Sequence, residues 1–136
     1  MTRKIKSNTY ENGDYAVIGG NSLTFAYREM VNTTGGFAIK AVAGGVISGV
    51  SKSVLTTASD NQTVAKAKVI VEGINASTTY RMPITGGTIT VDDEGKYYDL
   101  STSILVAGAT ESATTGQLKL VKFIKATECD FVIVNL

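Results

Sequence analysis

The sequence predicts an all-β protein: a single small β-barrel or β-sandwich with an extended N-terminal arm and at most one or two short helical turns. Three observations predict it. Apolar residues recur with period two over much of the chain, Gly-Gly pairs punctuate the runs, and one proline interrupts them. The 136 residues are enough for one domain that buries about two-thirds of its unfolded surface. We therefore expect an arm over residues 1–13 and a β body over 14–136.

Residues 1–13 show no alternation. Arg3, Lys4 and Lys6 place three cations in the first six residues, followed by polar Ser7, Asn8 and Thr9 where an export signal would need an apolar stretch. Tyr15–Ile18 and Leu23–Tyr27 then read as a weak hairpin across Gly19-Gly20-Asn21. Leu23 to Val31 also fits about two helical turns, since Leu23, Ala26, Tyr27 and Met30 share a helical face. Phe37–Val42 and Val46–Val50 read as a second hairpin, about Gly44-Gly45.

In the next segment, Ala65, Ala67, Val69 and Val71 alternate with Lys66, Lys68 and Glu72, broken only by Ile70. Tyr80, Met82 and Ile84 alternate with Thr79, Arg81 and Pro83, and Gly86-Gly87 leads into Ile89 and Val91, the strongest hairpin signal. Pro83 has no N–H to give a ladder, so its strand belongs at a sheet edge or a bulge. Asp92-Asp93-Glu94-Gly95 has acids at its start and Gly at its end, as one capped turn requires. In Gln117–Lys125, Leu118 and Leu120 share one face while Val121 and Phe123 fall on the other. A bulge or two-sided burial reconciles them; a helix ranks second. Phe131–Val134 reads as a buried final strand.

Chemistry is sparse. The chain has no histidine, the commonest general base, proton shuttle and metal ligand. Cys129 stands alone between Glu128 and Asp130, whose charges oppose a thiolate, so it reads as structural. The acids at 92–94 lack the alternation of a calcium loop, and the Gly pairs spell no phosphate loop. We expect no enzyme activity, no cofactor and no metal. Net charge is +1, so nucleic acid and membrane surfaces are not expected partners. The stretch Phe37–Val50 is too short and broken to cross a membrane. The Asn-x-Ser/Thr matches at Asn32, Asn61 and Asn75 read as chance. Charged residues make up 18%, below the roughly 25% usual for soluble domains, a composition that favours assembly.

From Gly36 onward the order of short phrases resembles the small β-barrel decoration proteins (cement or auxiliary capsid proteins) of tailed bacteriophages. The phrases are Gly36-Phe37-Ala38, Gly45-Val46-Ile47-Ser48-Gly49-Val50-Ser51, and the alternating Ala67 to Gly73. They continue with Tyr80-Arg81-Met82-Pro83-Ile84, Glu94 to Leu100, Gly116 to Val121, and Phe131 to Val134. The likeness covers roughly the last hundred residues; residues 1–35 depart from it. It implies a protein of the capsid exterior, made in the host cytoplasm, that binds the major capsid protein and bridges neighbouring subunits. It further implies adjacent single copies or a homo-oligomer, a trimer being one such state. On this basis Arg3, Lys4, Ile5, Lys6, Tyr10 and Tyr15 would form a docking arm whose cations meet an acidic shell; the alternative is a solvated terminus. Two other function classes fit the residues. One is another virion part, such as a tail-tube or head–tail completion subunit. The other is a carbohydrate-binding β module whose exposed tyrosines stack on sugar.

Overall fold

The computed structural model describes residues 14–17, 24–34, 37–53, 55–56 and 68–136. It is all-β, with twelve strands and one 3-10 turn among these residues. Where the sequence points to one β body from residue 14 onward, contacts group the chain into two compact units. The first holds residues 1–41 and 47–74, the second 42–46 and 75–136.

In the first unit the strands are β1 (Asp14–Val17), β2 (Thr24–Phe25), β3 (Met30–Thr34), β4 (Phe37–Lys40), β5 (Gly49–Ser51), β6 (Leu55–Thr56) and β7 (Lys68–Gly73). Five of them form an antiparallel sheet in the order β1-β7-β5-β3-β4, and β2 pairs with β6 as a separate ribbon. Phe25, Met30, Val31, Ile47, Val50 and Val71 are fully buried in its core. Three local expectations change here. The Tyr15–Tyr27 hairpin does not form: β1 pairs with β7, which offers a longer ladder than the two-residue β2. The Leu23–Val31 helix gives way to two strands around a turn. That turn is fixed from a distance, the Ser51 hydroxyl accepting the Glu29 N–H at 2.9 Å. The Glu29 carboxylate accepts the Ala26 N–H at 2.8 Å and pairs with Lys40 at 3.1 Å. Finally, β4 and β5 do not pair about Gly44-Gly45; both flank β3, and residues 35–36 join β3 to β4 with Thr34 opposite Phe37.

The second unit is a closed five-stranded barrel in the order β10-β8-β12-β11-β9. Its strands are β8 (Tyr80–Thr85), β9 (Tyr97–Thr102), β10 (Leu105–Ser112), β11 (Leu118–Lys125) and β12 (Glu128–Ile133). Alternation works as expected in β8, where Tyr80, Met82 and Ile84 are buried and Arg81, Pro83 and Thr85 exposed. Leu100, Val106, Leu118, Leu120 and Phe131 fill the interior, and Tyr98 meets the Phe131 ring edge-on at 6.0 Å. Phe131, Val132 and Ile133 are all buried, as a two-sided final strand should be. The register slips in β11 between Leu120 and Lys122 and again before Lys125, so the expected bulge is present and Val121 turns outward. Val91–Asp93 is the 3-10 turn, with Gly95 at φ 93° after it, matching the capped turn read from the sequence.

Two expectations about β8 are corrected. Pro83 lies within a closed barrel, not at an edge. The neighbouring Ile84 N–H donates towards β12, to the Thr127 carbonyl at 2.9 Å. The Pro83 nitrogen therefore faces β10, whose pairing with β8 begins only at Ile84, and the missing donor costs no ladder bond. Nor do residues 88–91 return as the second arm of a hairpin. Gly86 and Gly87, both at positive φ, press instead against Gly108 of β10. A Cβ on Gly87 would overlap the Gly108 carbonyl carbon, and a Cβ on Gly108 would overlap the Gly86 carbonyl oxygen. Removing side chains at this contact lets the backbones approach closely where β8 and β10 run parallel.

Gly116 is equally tight, since a Cβ there would sit 2.8 Å from the Tyr98 nitrogen. Gly95, by contrast, faces open space. In urea melts we expect Gly108→Ala and Gly116→Ala to lose about 2–4 kcal/mol, because backbone must shift. Gly95→Ala should lose only about 1–2 kcal/mol, the strain of its left-handed φ.

Candidate functional site

A cleft of about 340 Å³ lies in the second unit, lined by Gly44, Gly45, Val46, Asp99, Thr115, Gly116, Gln117, Asn135 and Leu136. Its construction begins with Gln117, the residue before β11, which is only 4% exposed. A buried carboxamide has two donors and a carbonyl able to accept twice, and each must be matched. Here all are. The Gln117 Nε2 donates to the Val42 carbonyl at 2.8 Å and to the Gly45 carbonyl. Its Oε1 accepts the Leu100 N–H at 2.8 Å and the Gly44 N–H at 3.1 Å. Thus one side chain fastens the 42–46 loop and prolongs the ladder between β9 and β11, whose backbone register covers only Tyr97 and Tyr98.

The backbone of the same residue holds the chain end. The Gln117 carbonyl accepts the N–H groups of Val134 and Asn135 at 2.9 and 3.0 Å, and Gly116 exchanges two 2.8 Å bonds with Leu136. Asp99 is half-buried; one carboxylate oxygen accepts the Gln117 N–H at 3.1 Å, and the other has no partner among the described residues. Val46 and Leu136 remain 44% and 63% exposed, so the cleft combines glycine backbone and these two apolar side chains with polar Thr115 and Asn135 and the Asp99 carboxylate.

A second polar cluster stitches the 3-10 turn to the barrel. Lys96 Nζ lies 2.9 Å from Asp93 and 3.1 Å from Glu111, and the Tyr98 hydroxyl donates to Glu111 at 3.3 Å. The Lys96 ammonium and the Thr90 N–H, 2.8 Å away, lower the Asp93 carboxyl from 3.8 to about 2. Asp93 and then Glu111 raise the Lys96 pKa, and burial above all raises that of Tyr98. Glu94 accepts the Phe123 N–H at 2.7 Å, tying the same turn to β11. On the outer face Arg81 meets its register partner Asp130 at 2.9 Å across β8 and β12. These pairs satisfy one another.

Of the residues predicted to dock, Arg3, Lys4, Ile5, Lys6 and Tyr10 lie outside the described residues. Tyr15 belongs to β1, in register with Ile70. Tyr80 and Tyr98 are core, and Tyr97 is half-buried beneath Lys119. Tyr27 is exposed with the Arg28 guanidinium 5.3 Å above its ring, and no tyrosine lines the cleft. Cys129 is fully buried and its thiol faces the Lys125 carbonyl at 3.3 Å. Among the described residues no group of His, Cys, Asp and Glu could hold a metal ion, and no helix is long and apolar enough to cross a membrane. Sequence reasoning missed Gln117 as a hub. Its only signal is a lone amide heading an apolar strand, and its loop partners stand more than seventy positions away. Compared with known proteins, the chain matches no family model, no curated protein and no solved structure.

Replacing Gln117 by Leu strands the Gly45 carbonyl and the N–H groups of Gly44 and Leu100, and takes one of its two donors from the Val42 carbonyl. We expect a loss of about 2–4 kcal/mol in urea melts, with faster hydrogen exchange at Gly44 and Leu100. The Asp93 carboxyl binds its proton less tightly when folded than unfolded. Its stabilisation is therefore complete above about pH 4 and lost as the pH falls towards 2. Denaturation midpoints measured from pH 5 to pH 2 should fall less steeply in Asp93→Asn than in the parent.

Proposed function

We propose that the protein is a non-catalytic assembly module, and specifically a decoration protein that binds the outside of a tailed-phage head and bridges neighbouring major capsid subunits. The observation that carries the first part is the internal saturation of Gln117, the buried amide that lines the cleft. Gln117 uses all four of its bonding positions internally. Cys129 is sealed in the core, and the chain has no histidine to act as a base. What the cleft offers a partner is shape, the apolar side chains of Val46 and Leu136, the polar Thr115 and Asn135, and the Asp99 carboxylate. That suits recognition of a surface better than turnover of a substrate.

The specific role rests on the ordered phrases from Gly36 to Val134 that resemble phage decoration proteins, together with the low charge of the chain. A decoration protein needs a rigid body and a contact surface, and many copies on one shell multiply weak contacts. Arg3, Lys4, Ile5, Lys6, Tyr10 and Tyr15 are the contact residues we assign to the N-terminal segment. The partner is the major capsid protein, the location is the virion exterior, and neither nucleic acid nor membrane is required.

Mixing the purified protein with undecorated phage heads and sedimenting them tests this reading. Saturable co-sedimentation is expected, reduced several-fold when Arg3, Lys4 and Lys6 are replaced by Ala. Rings or tubes formed without heads would indicate a tail or connector subunit, and binding to a glycan array with no affinity for heads would indicate a sugar-binding module.

A further inference from the structure

We propose that the cleft of the second unit binds a primary alkylammonium group, the chemistry of a lysine side chain or of a free small amine. The charged head sits on Asp99 and the aliphatic stem lies against Val46 and Leu136. The inference does not depend on a capsid being the partner.

The charge of the lining selects a cation. Among the described residues that line the cleft, Asp99 carries the only ionisable side chain. Asp93 and Asp130 each have a cation 2.9 Å away, whereas Asp99 has none among the described residues. The second unit as a whole carries seven Asp and Glu against five Lys and Arg, so its field also favours an approaching cation. A metal ion is a poor occupant, because one carboxylate does not make the cluster of oxygen ligands that calcium takes.

Geometry separates an ammonium from a guanidinium. One Asp99 oxygen already accepts the Gln117 N–H at 3.1 Å, which fixes the carboxylate and leaves the other oxygen for a ligand. Arginine binds best through a fork that uses both oxygens, whereas an ammonium is a point charge that one oxygen satisfies. The Thr115 hydroxyl lines the same cleft, 3.4 Å from that of Ser112, and keeps a lone pair to accept a further donor. An aliphatic stem covers the exposed Val46 and Leu136 side chains while its head stays polar. Gln117 holds the 42–46 loop, so the Val46 wall is in place before binding.

The test is an NMR titration of the full-length protein with n-butylammonium chloride at constant ionic strength, followed at the amides of Gly44, Gly45, Val46 and Gly116. Saturable shifts confined to these amides and their neighbours are expected, with a Kd in the millimolar range. The alcohol n-butanol, the same stem without the charge, should bind at least about fivefold more weakly. Asp99→Asn keeps an acceptor for the Gln117 N–H while removing the charge, and should weaken butylammonium binding at least about tenfold. The alcohol comparison needs no variant, so it decides the matter should Asp99→Asn disturb the fold. A lysine-containing tripeptide that binds about tenfold tighter than butylammonium assigns the group to a protein partner, and any smaller gain assigns it to a free amine. Absence of saturable shifts, equal binding of n-butanol, or tighter binding of n-propylguanidinium would overturn the proposal. None of these results depends on whether the protein binds phage heads.

Discussion

The second unit depends on one carboxamide being fully satisfied away from water. A buried amide with unmatched groups is a liability of a few kcal/mol, whereas a matched one fixes position as well as energy. Gln117 fits the second case, because its four side-chain bonds reach Val42, Gly44, Gly45 and Leu100. Its backbone receives Val134 and Asn135 and donates to Asp99. A loop from early in the chain, a barrel strand and the last residues are thus held by a single position. The cleft is the space these three segments leave between them.

Backbone proximity is the second constraint. At Gly87 and Gly108, and again at Gly116, the chain comes closer to its neighbours than any Cβ allows. These contacts seal the barrel at the parallel β8–β10 pairing and at the junction with β9. Closure leaves the second unit no open sheet edge, and edge exposure is what small β proteins must otherwise guard against. A body built this way can crowd against copies of itself or a partner through chosen side chains without pairing strands indiscriminately.

Much of the local structure was legible in the residues. The alternation of Tyr80, Met82 and Ile84 names the inner face of β8, the parity switch after Leu120 foretells the bulge, and Asp92 to Gly95 announces its turn. Pairing was not legible. Gly-Gly reads as a hairpin turn because positive φ is its commonest use, yet Gly86-Gly87 serves a close approach and Gly44-Gly45 a loop held by an amide. Strands expected to pair locally find ladders elsewhere, as β1 does on β7, more than fifty residues away. Period two reports which face of a strand is buried but carries nothing about its neighbours, and a Gln at the head of a strand does not say which distant carbonyls it will reach. The cleft is made of such distant contacts, so it had no local signature.

The most direct test of this account is hydrogen exchange at the Gly44 and Leu100 amides of the unmodified protein, followed by NMR. If Gln117 is the fixed hub described here, both amides exchange as slowly as core β-strand amides, near the limit set by unfolding of the barrel. Rapid exchange at Gly44 and Leu100 beside a protected core would contradict it, because the loop and the cleft would then open independently of the fold.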